Sequence, residues 1–493
     1  MARSLSRATL RSFLMGSALA FAPAQAMADD LRQALINAYQ TNPDLQAARA
    51  NQRANDENVP IARAAGLPSL SATANYVEYL KQASNNFVAP ERATSGDLTL
   101  SVPVFAGGAV KNSVRAAKTR VLAGQADLQG VESNVFAQTV AAYMDVIRDQ
   151  AIVGLNRNNV QVLKVNLNAA SDRFEIGDVT RTDVAQSNSR LALARGDLRT
   201  AEANLIASRE RYIQIVGKAP VDLQPPPPLA GIPAAPEDAV DTALENNPDL
   251  AAARERSKAA GYDVKVAGAG RLPRVSVFTG SNYTNYLGSL PSLSNVGGQS
   301  QRFTTAQAGV QATIPLFQGG LPAARERQAQ ATEGAAMEQE IGTERAVIAT
   351  VRSAFSNWRA ANDVITMNQT AVDAATLSLE GVRAENTVGN RTILDILDAE
   401  QELLRAQVQL VAARRNSYVA GFNLLAAMGK AQAKDLALDS EMGNAALYDP
   451  TVNYDRVKGK IWDWAHDPAP KPQSTRTVDS APQNATIAEQ PAP

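Results

Sequence analysis

Acidic side chains are the first candidates for chemistry in this chain. Asp395 and Asp398 stand three residues apart, a spacing that on a helix puts both carboxylates on one face. Paired carboxylates can work as acid and base in a hydrolase, or, left charged, can attract cations and repel one another. Asp395 can also simply cap its own helix. The hydrolytic reading lacks companions: one histidine, His466, lies near the C-terminal tail, so no Ser-His-Asp set or histidine metal cluster can form. No cysteine is present, which excludes disulfides, thiolate zinc sites, a thiol nucleophile and an N-terminal cysteine that could carry lipid. No metal or cofactor is expected. A catalytic pair would also have to work without a formed pocket, on a repetitive helical scaffold.

The local setting of these aspartates points to a turn between helices. Gly389 is followed three residues later by Thr392, and Asp395 lies three beyond; Gly177, Thr180 and Asp183 repeat the pattern earlier in the chain. Glycine suits a left-handed helix exit, and Thr-x-x-Asp resembles a capping box that starts the returning helix. Both turns are expected to be the far tips of helical hairpins.

The tips belong to a larger duplication. Asn42-Pro43-Asp44-Leu45 returns as Asn247-Pro248-Asp249-Leu250, and Val102-Pro-Val-Phe-Ala-Gly-Gly108 returns as Ile314-Pro-Leu-Phe-Gln-Gly-Gly320. The copies drift out of step between these landmarks, in a Gly-, Ser-, Asn- and Pro-rich loop at roughly 280–300, and then keep step to Gly217-Lys218 and Gly429-Lys430. The expected organisation is a first repeat at 29–218, a Pro-rich linker at 219–236, a second repeat at 237–430, a C-terminal segment at 431–466 and a disordered tail at 467–493. Residues 1–28 carry Arg3, Arg7 and Arg11, an apolar run and Ala26-Met27-Ala28, the pattern of a signal peptide. Beyond it no apolar run is long enough for a membrane-spanning helix, so any membrane crossing must use strands. With 48 Lys and Arg against 49 Asp and Glu, the chain carries no electrostatic footprint for nucleic acid.

Within each repeat the period of the pattern changes. Val114, Val121, Leu128, Val135 and Ala142 stand seven apart, as do Val184, Leu191, Leu198, Leu205 and Tyr212, which predicts coiled-coil seams. The proline-free stretch from Ala109 to Asp172 predicts one helix of ~95 Å, with helices near 31–65 and 180–217 stacked end to end beside it. Between the first helix and the long one the period falls to two. Leu70, Ala72, Ala74 and Tyr76 alternate with small polar residues, as do Leu98, Leu100, Val102 and Val104, and Ala306 through Leu316 in the second copy. Strands of this length, apolar on one side only, match a membrane barrel, yet four strands cannot close one. Several chains must therefore share a barrel. A surface coiled-coil or adhesin would explain the heptads but not two membrane-type hairpins at matched places.

The fold class expected is mainly α with membrane β: internally duplicated coiled-coil hairpins plus four strands per chain. The doubled unit, the strand-to-helix motif with Pro103, Gly107 and Gly108 and its copy Pro315, Gly319 and Gly320, and the tip segment Val388-Gly-Asn-Arg-Thr-Ile-Leu-Asp-Ile-Leu-Asp398 resemble the TolC family of outer-membrane factors from about Asp30 to Lys430. The resemblance implies a homotrimer with a twelve-stranded barrel in the outer-membrane lipid, a helical tunnel across the periplasm with 431–466 as its equatorial segment, and export with a periplasmic adaptor and an ABC or RND-type inner-membrane transporter. It also implies that Asp395 and Asp398 ring the inner entrance, and that Arg391 and Asp183 help hold it shut. Asn386 stands where that family's latch has tyrosine.

Overall fold

The computed structural model describes residues 30–82, 90–290, 300–438 and 447–487. The expected signal peptide, part of the drifting loop and residues 488–493 lie outside them. Where one helix was expected at 31–65, three follow one another: α1 (Leu31–Thr41), α2 (Pro43–Asp56) and α3 (Asn58–Ala64). The break between α1 and α2 is set by Pro43, whose ring pushes the preceding Asn42 out of helical conformation, to φ −64° and ψ 125°. The side chain of Asn42 then accepts from the amides of Asp44 and Leu45 (2.9 and 3.3 Å), capping α2. Its amide donates to Ile215 O at 3.0 Å, on the last turn of α5 (Arg181–Val216). The second copy repeats the joint: Asn247 separates α6 (Pro236–Asn246) from α7 (Pro248–Gly268), caps α7 and donates to Ala427 O at 2.9 Å. Ala427 ends α9 (Ile393–Ala427). The duplicated Asn-Pro-Asp-Leu motif is thus the fastening where two half-length columns meet end to end.

Alongside run α4 (Ala109–Glu175) and α8 (Leu321–Thr387), each of 67 residues and hence ~100 Å long. Of the predicted seams, Val121, Leu128, Val135 and Ala142 of α4 are buried, with Leu191, Leu205 and Tyr212 of α5. Val114 and Val184, near the starts of their helices, and Leu198, at the middle of α5, are half-buried. By contrast, α8 leaves Met337, Ile341, Met367 and Leu377 exposed along its length.

The strands β1 (Ser69–Glu78), β2 (Arg92–Phe105), β3 (Arg274–Asn285) and β4 (Arg302–Thr313) form one antiparallel sheet in sequence order. Its register sorts the faces: Leu70 opposes Leu100, and Val102, Val277 and Val310 align across three strands. On the other face Ser71, Thr99, Gly280 and Gln307 align. Among the described residues no helix packs across either face, so Leu70 and Val310 remain 67% and 68% exposed. A soluble sheet would have covered that apolar side, and both edges, β1 and β4, are left unpaired.

Two strand expectations are corrected. Gly280 lies inside β3, opposite Thr99, so the drift between copies begins later than expected. The alternation expected through Ile314 and Leu316 ends at Thr313, where β4, an edge strand, meets Pro315 with no further partner. In the first copy β2 continues through Pro103, with a register shift before Phe105, because β3 still holds it on one side. Pairing with β1 has already stopped at Ser101, so the missing N–H of Pro103 falls on the open side.

The C-terminal segment folds back over the first copy. Helix α10 (Pro450–Val457) lies on α2, where Asn453 donates to the buried carboxylate of Asp56 at 2.7 Å. The tail, expected as disordered, has no helix or strand at 467–487, yet it is held on α5. Arg209 donates to Asn484 O (2.5 Å) and Thr486 O (2.9 Å), and Ala485 and Ile487 pack on the core, so the tail's backbone carbonyls take both terminal nitrogens of a partly buried guanidinium whose Nε finds no partner among the described residues.

Candidate functional site at the hairpin tips

The two tips are built alike, ~100 Å of helix away from the sheet. Gly177 and Gly389 both adopt φ 81°, the left-handed geometry that turns each long helix back. At the first tip Thr180 Oγ1 accepts from Asp183 N (3.3 Å), while Asp183 Oδ2 accepts from Thr180 N and Oγ1 (2.9 and 2.8 Å). Thr392 and Asp395 form the same box, at 3.4, 2.8 and 2.7 Å. For Asp183 the Thr180 backbone donor, and for Asp395 the Thr392 hydroxyl, hold the carboxyl below the usual 3.8. Both aspartates are therefore charged and occupied as caps.

The second tip carries more charge. Arg391 Nε donates to Glu385 at 2.7 Å, and its guanidinium lies 3.9 Å from Asp395. The Glu385 hydrogen bond raises the Arg391 pKa further above its usual value. Asn386, in the place expected for a latch tyrosine, donates its side-chain amide to Arg391 O at 2.7 Å and so braces the turn from within. Asp183 and Arg391 are not brought together within the chain.

Asp398 does not turn toward the cap. It accepts from Arg190 of α5 at 2.5 Å, and the same arginine also reaches Gln401. The two expected ring residues thus hold different posts: Asp395 closes its own turn, and Asp398 ties one hairpin to the other. One turn deeper, Glu400 is buried and accepts from Asn166 of α4 (3.0 Å to each oxygen) and from Arg383 of α8 (2.9 Å). Beneath it Leu163, Leu191, Ala194 and Leu397 form a small apolar core shared by α4, α5 and α9. Sequence reasoning missed Arg190, Asn166, Arg383 and Glu400. A signal existed for the last, since Ile393, Leu397, Glu400 and Leu404 follow a heptad seam in which only Glu400 is polar.

At the other end of the long helices, Gly107, Gly108, Gly319 and Gly320 all have positive φ. A β-carbon on Gly107 would stand 2.7 Å from that of Leu272, so the turn from β2 into α4 admits only glycine there.

The sequence profile of the family described as Outer membrane efflux protein matches residues 34–218 and 239–430. The chain belongs to that family. It is 32% identical over 437 residues to the outer membrane efflux protein BepC of Brucella suis, covering 88% of this chain and 92% of BepC. It is 28% identical over 459 residues to the outer membrane protein TolC of Escherichia coli, covering 90% of each. The Campylobacter jejuni CmeC outer membrane channel shares the fold with a TM-score of 0.71 at 17% identity, over 87% of this chain and 89% of CmeC. As an outer membrane efflux protein the chain is an export channel subunit of the outer membrane with a periplasmic helical tunnel. TolC-family channels are homotrimers that work with periplasmic adaptors and inner-membrane transporters. Three copies of the open sheet supply the partners that edges β1 and β4 lack.

Proposed function

We propose that the paired tips form the gated periplasmic entrance of this export duct, and that the subunit performs no catalysis of its own. Asp395 and Asp398 ring the entrance; Arg391, Asp183 and Asn386 stiffen the turns that keep it narrow. The observation that best supports this is the position of Asp398, which keeps 57% of its side chain in solvent while bridging the two hairpins through Arg190. An exposed carboxylate on a hairpin-to-hairpin contact can both attract a cation and loosen when the hairpins part. Like charges brought toward one axis repel as 1/r and are screened over only ~8–10 Å, so closure must be offset by contacts such as these.

In planar bilayers the channel should be cation-selective and blocked by multivalent cations added from the periplasmic side. Changing both Asp395 and Asp398 to Ala should weaken the block, and Arg391→Ala should raise conductance. Asp395→Asn, which keeps an acceptor for the cap, separates charge from capping. A block unchanged in the double Ala variant would remove these residues from the entrance.

A further inference from the structure

A second charged constellation lies at the opposite end of the helices. Arg63, Lys111, Arg115, Lys118 and Lys458 line a cavity of about 570 Å³ with Tyr454, between α3, α4 and the end of α10, and no acidic side chain lines it. Lys111, Arg115 and Lys118 follow one another by four and three residues on α4, so they form a stripe. All three are exposed, and none has an ion-pair partner among the described residues. Neighbouring cations are partly answered: Lys458 pairs with Asp455 (2.6 Å), and Arg456 and Lys460 share Asp467. Arg63 donates to Lys458 O at 3.2 Å, which joins the end of α10 to the stripe. Like charges four apart destabilise a helix unless an anion answers them.

The place of this cluster says what the anion is. Helix α4 begins at Ala109, just past the end of β2 at Phe105, so Lys111 to Lys118 lie ~3–14 Å along the helix from the sheet. A headgroup layer extends ~5–8 Å beyond the hydrocarbon on each side, so the stripe starts in that layer. Close by in the chain is unexplained apolar surface: Ile461, Trp462 and Trp464 come within six residues of Lys458, just past Lys460, and are 69%, 72% and 82% exposed. Tryptophans beside lysines, apolar toward one side and wet toward the other, suit a membrane–water interface. The stretches flanking them are held on α2 through Asn453 and on α5 through Thr486, and because a segment seated inside the tunnel would obstruct the bore, we place it on the outside.

We propose that this cluster seats an anionic phospholipid headgroup of the periplasmic leaflet, with Trp462 and Trp464 dipping into the same leaflet to anchor a collar below the barrel. Full-length trimers carrying Trp358→Phe, so that only Trp462 and Trp464 report, would be reconstituted into bilayers of phosphatidylethanolamine with brominated phosphatidylglycerol, or with brominated phosphatidylethanolamine. Tryptophan quenching should be stronger with the brominated anionic lipid. The combined Lys111→Gln, Arg115→Gln and Lys118→Gln variant should lose the preference, by about fivefold for each cation removed near the surface. Mass spectrometry of intact unmutated trimers should find phosphatidylglycerol retained above its share of the membrane, a readout that stands even if the triple variant fails to assemble. Absence of quenching by either lipid would mean that the tryptophans face water or a protein, and would overturn the proposal. So would equal retention of both lipids, a preference that survives the triple substitution, or displacement of the lipid by inorganic phosphate alone.

Discussion

Glu400 offers the most direct test of how the tips are held. Its side chain is 5% exposed and takes charge-assisted hydrogen bonds from Asn166 and Arg383, so it fastens α9 to both α4 and α8. Glu400→Gln keeps the shape and one acceptor but removes the charge. Hydrogen bonds to a charged group contribute ~1.5–3 kcal/mol and neutral ones ~0.5–1.5, so two downgraded bonds cost about 2 kcal/mol per chain. Arg383 is half exposed and regains water, which holds the figure at that level rather than the larger cost of breaking a fully buried pair. About 2 kcal/mol corresponds to a roughly thirtyfold larger population of locally opened α9. Glu400→Ala also strands the Asn166 amide and should cost about 3–4 kcal/mol. Hydrogen exchange by mass spectrometry on the detergent-solubilised trimer would read protection across the first turns of α9, with the Asn42 joint as an unaffected reference. The open fraction in planar bilayers should rise in parallel. Unchanged protection and an unchanged open fraction in Glu400→Ala would refute the assignment of Glu400 as a fastening between hairpins.

The caps should respond to acid. Because Asp183 and Asp395 titrate below 3.8 when folded, their contribution is complete above that pH and fades as pH falls through the lower folded value. Pepsin cleavage at the tips should therefore rise between about pH 4 and about pH 2, with a flatter profile in Asp183→Asn and Asp395→Asn. Arginine at Leu100 or Val310 should impair membrane assembly, since a charge on the lipid face costs ~2–4 kcal/mol near the midplane, whereas arginine at Ser71 or Gln311 should be better tolerated. Equal insertion of the two sets in a folding assay would reverse the assigned faces. Asn42→Ala should cost about 2–4 kcal/mol, the sum of a lost N-cap and an unanswered Ile215 carbonyl. Asn42→Asp keeps the cap but turns a carboxylate toward that carbonyl, so stability equal to the unmutated chain would show that the joint does not matter.

What the sequence disclosed about this chain follows the range of each interaction. The capping boxes were readable because Thr180 and Asp183, or Thr392 and Asp395, lie within one turn of each other and need no other element. The strand faces were readable because a period of two survives wherever one face meets lipid; what was misjudged was extent, at Gly280 inside β3 and at the end of β4 at Thr313, since the reach of a strand is set by its neighbour. The joint at Asn42 was visible as a repeated motif, but its purpose was not, because the Ile215 carbonyl lies far along the chain. The same distance hid the Arg190–Asp398 bridge. The ring position expected of Asp398 therefore came without the partner that the structure gives it. The held tail was missed because composition reports the lack of a core, not the presence of a surface with spare donors such as Arg209.

The two unpaired edges of the sheet carry a consequence for genetics. A strand edge in lipid can be completed only by a sibling chain, so every barrel samples three subunits from whatever pool the cell makes. If a defective copy such as Leu100→Arg still reaches the pool and is expressed equally with the normal gene, only about one trimer in eight is free of it under random mixing. Lesions in the strands should therefore be dominant and deplete export capacity well beyond half. Lesions that destroy the chain before it meets its siblings should be recessive.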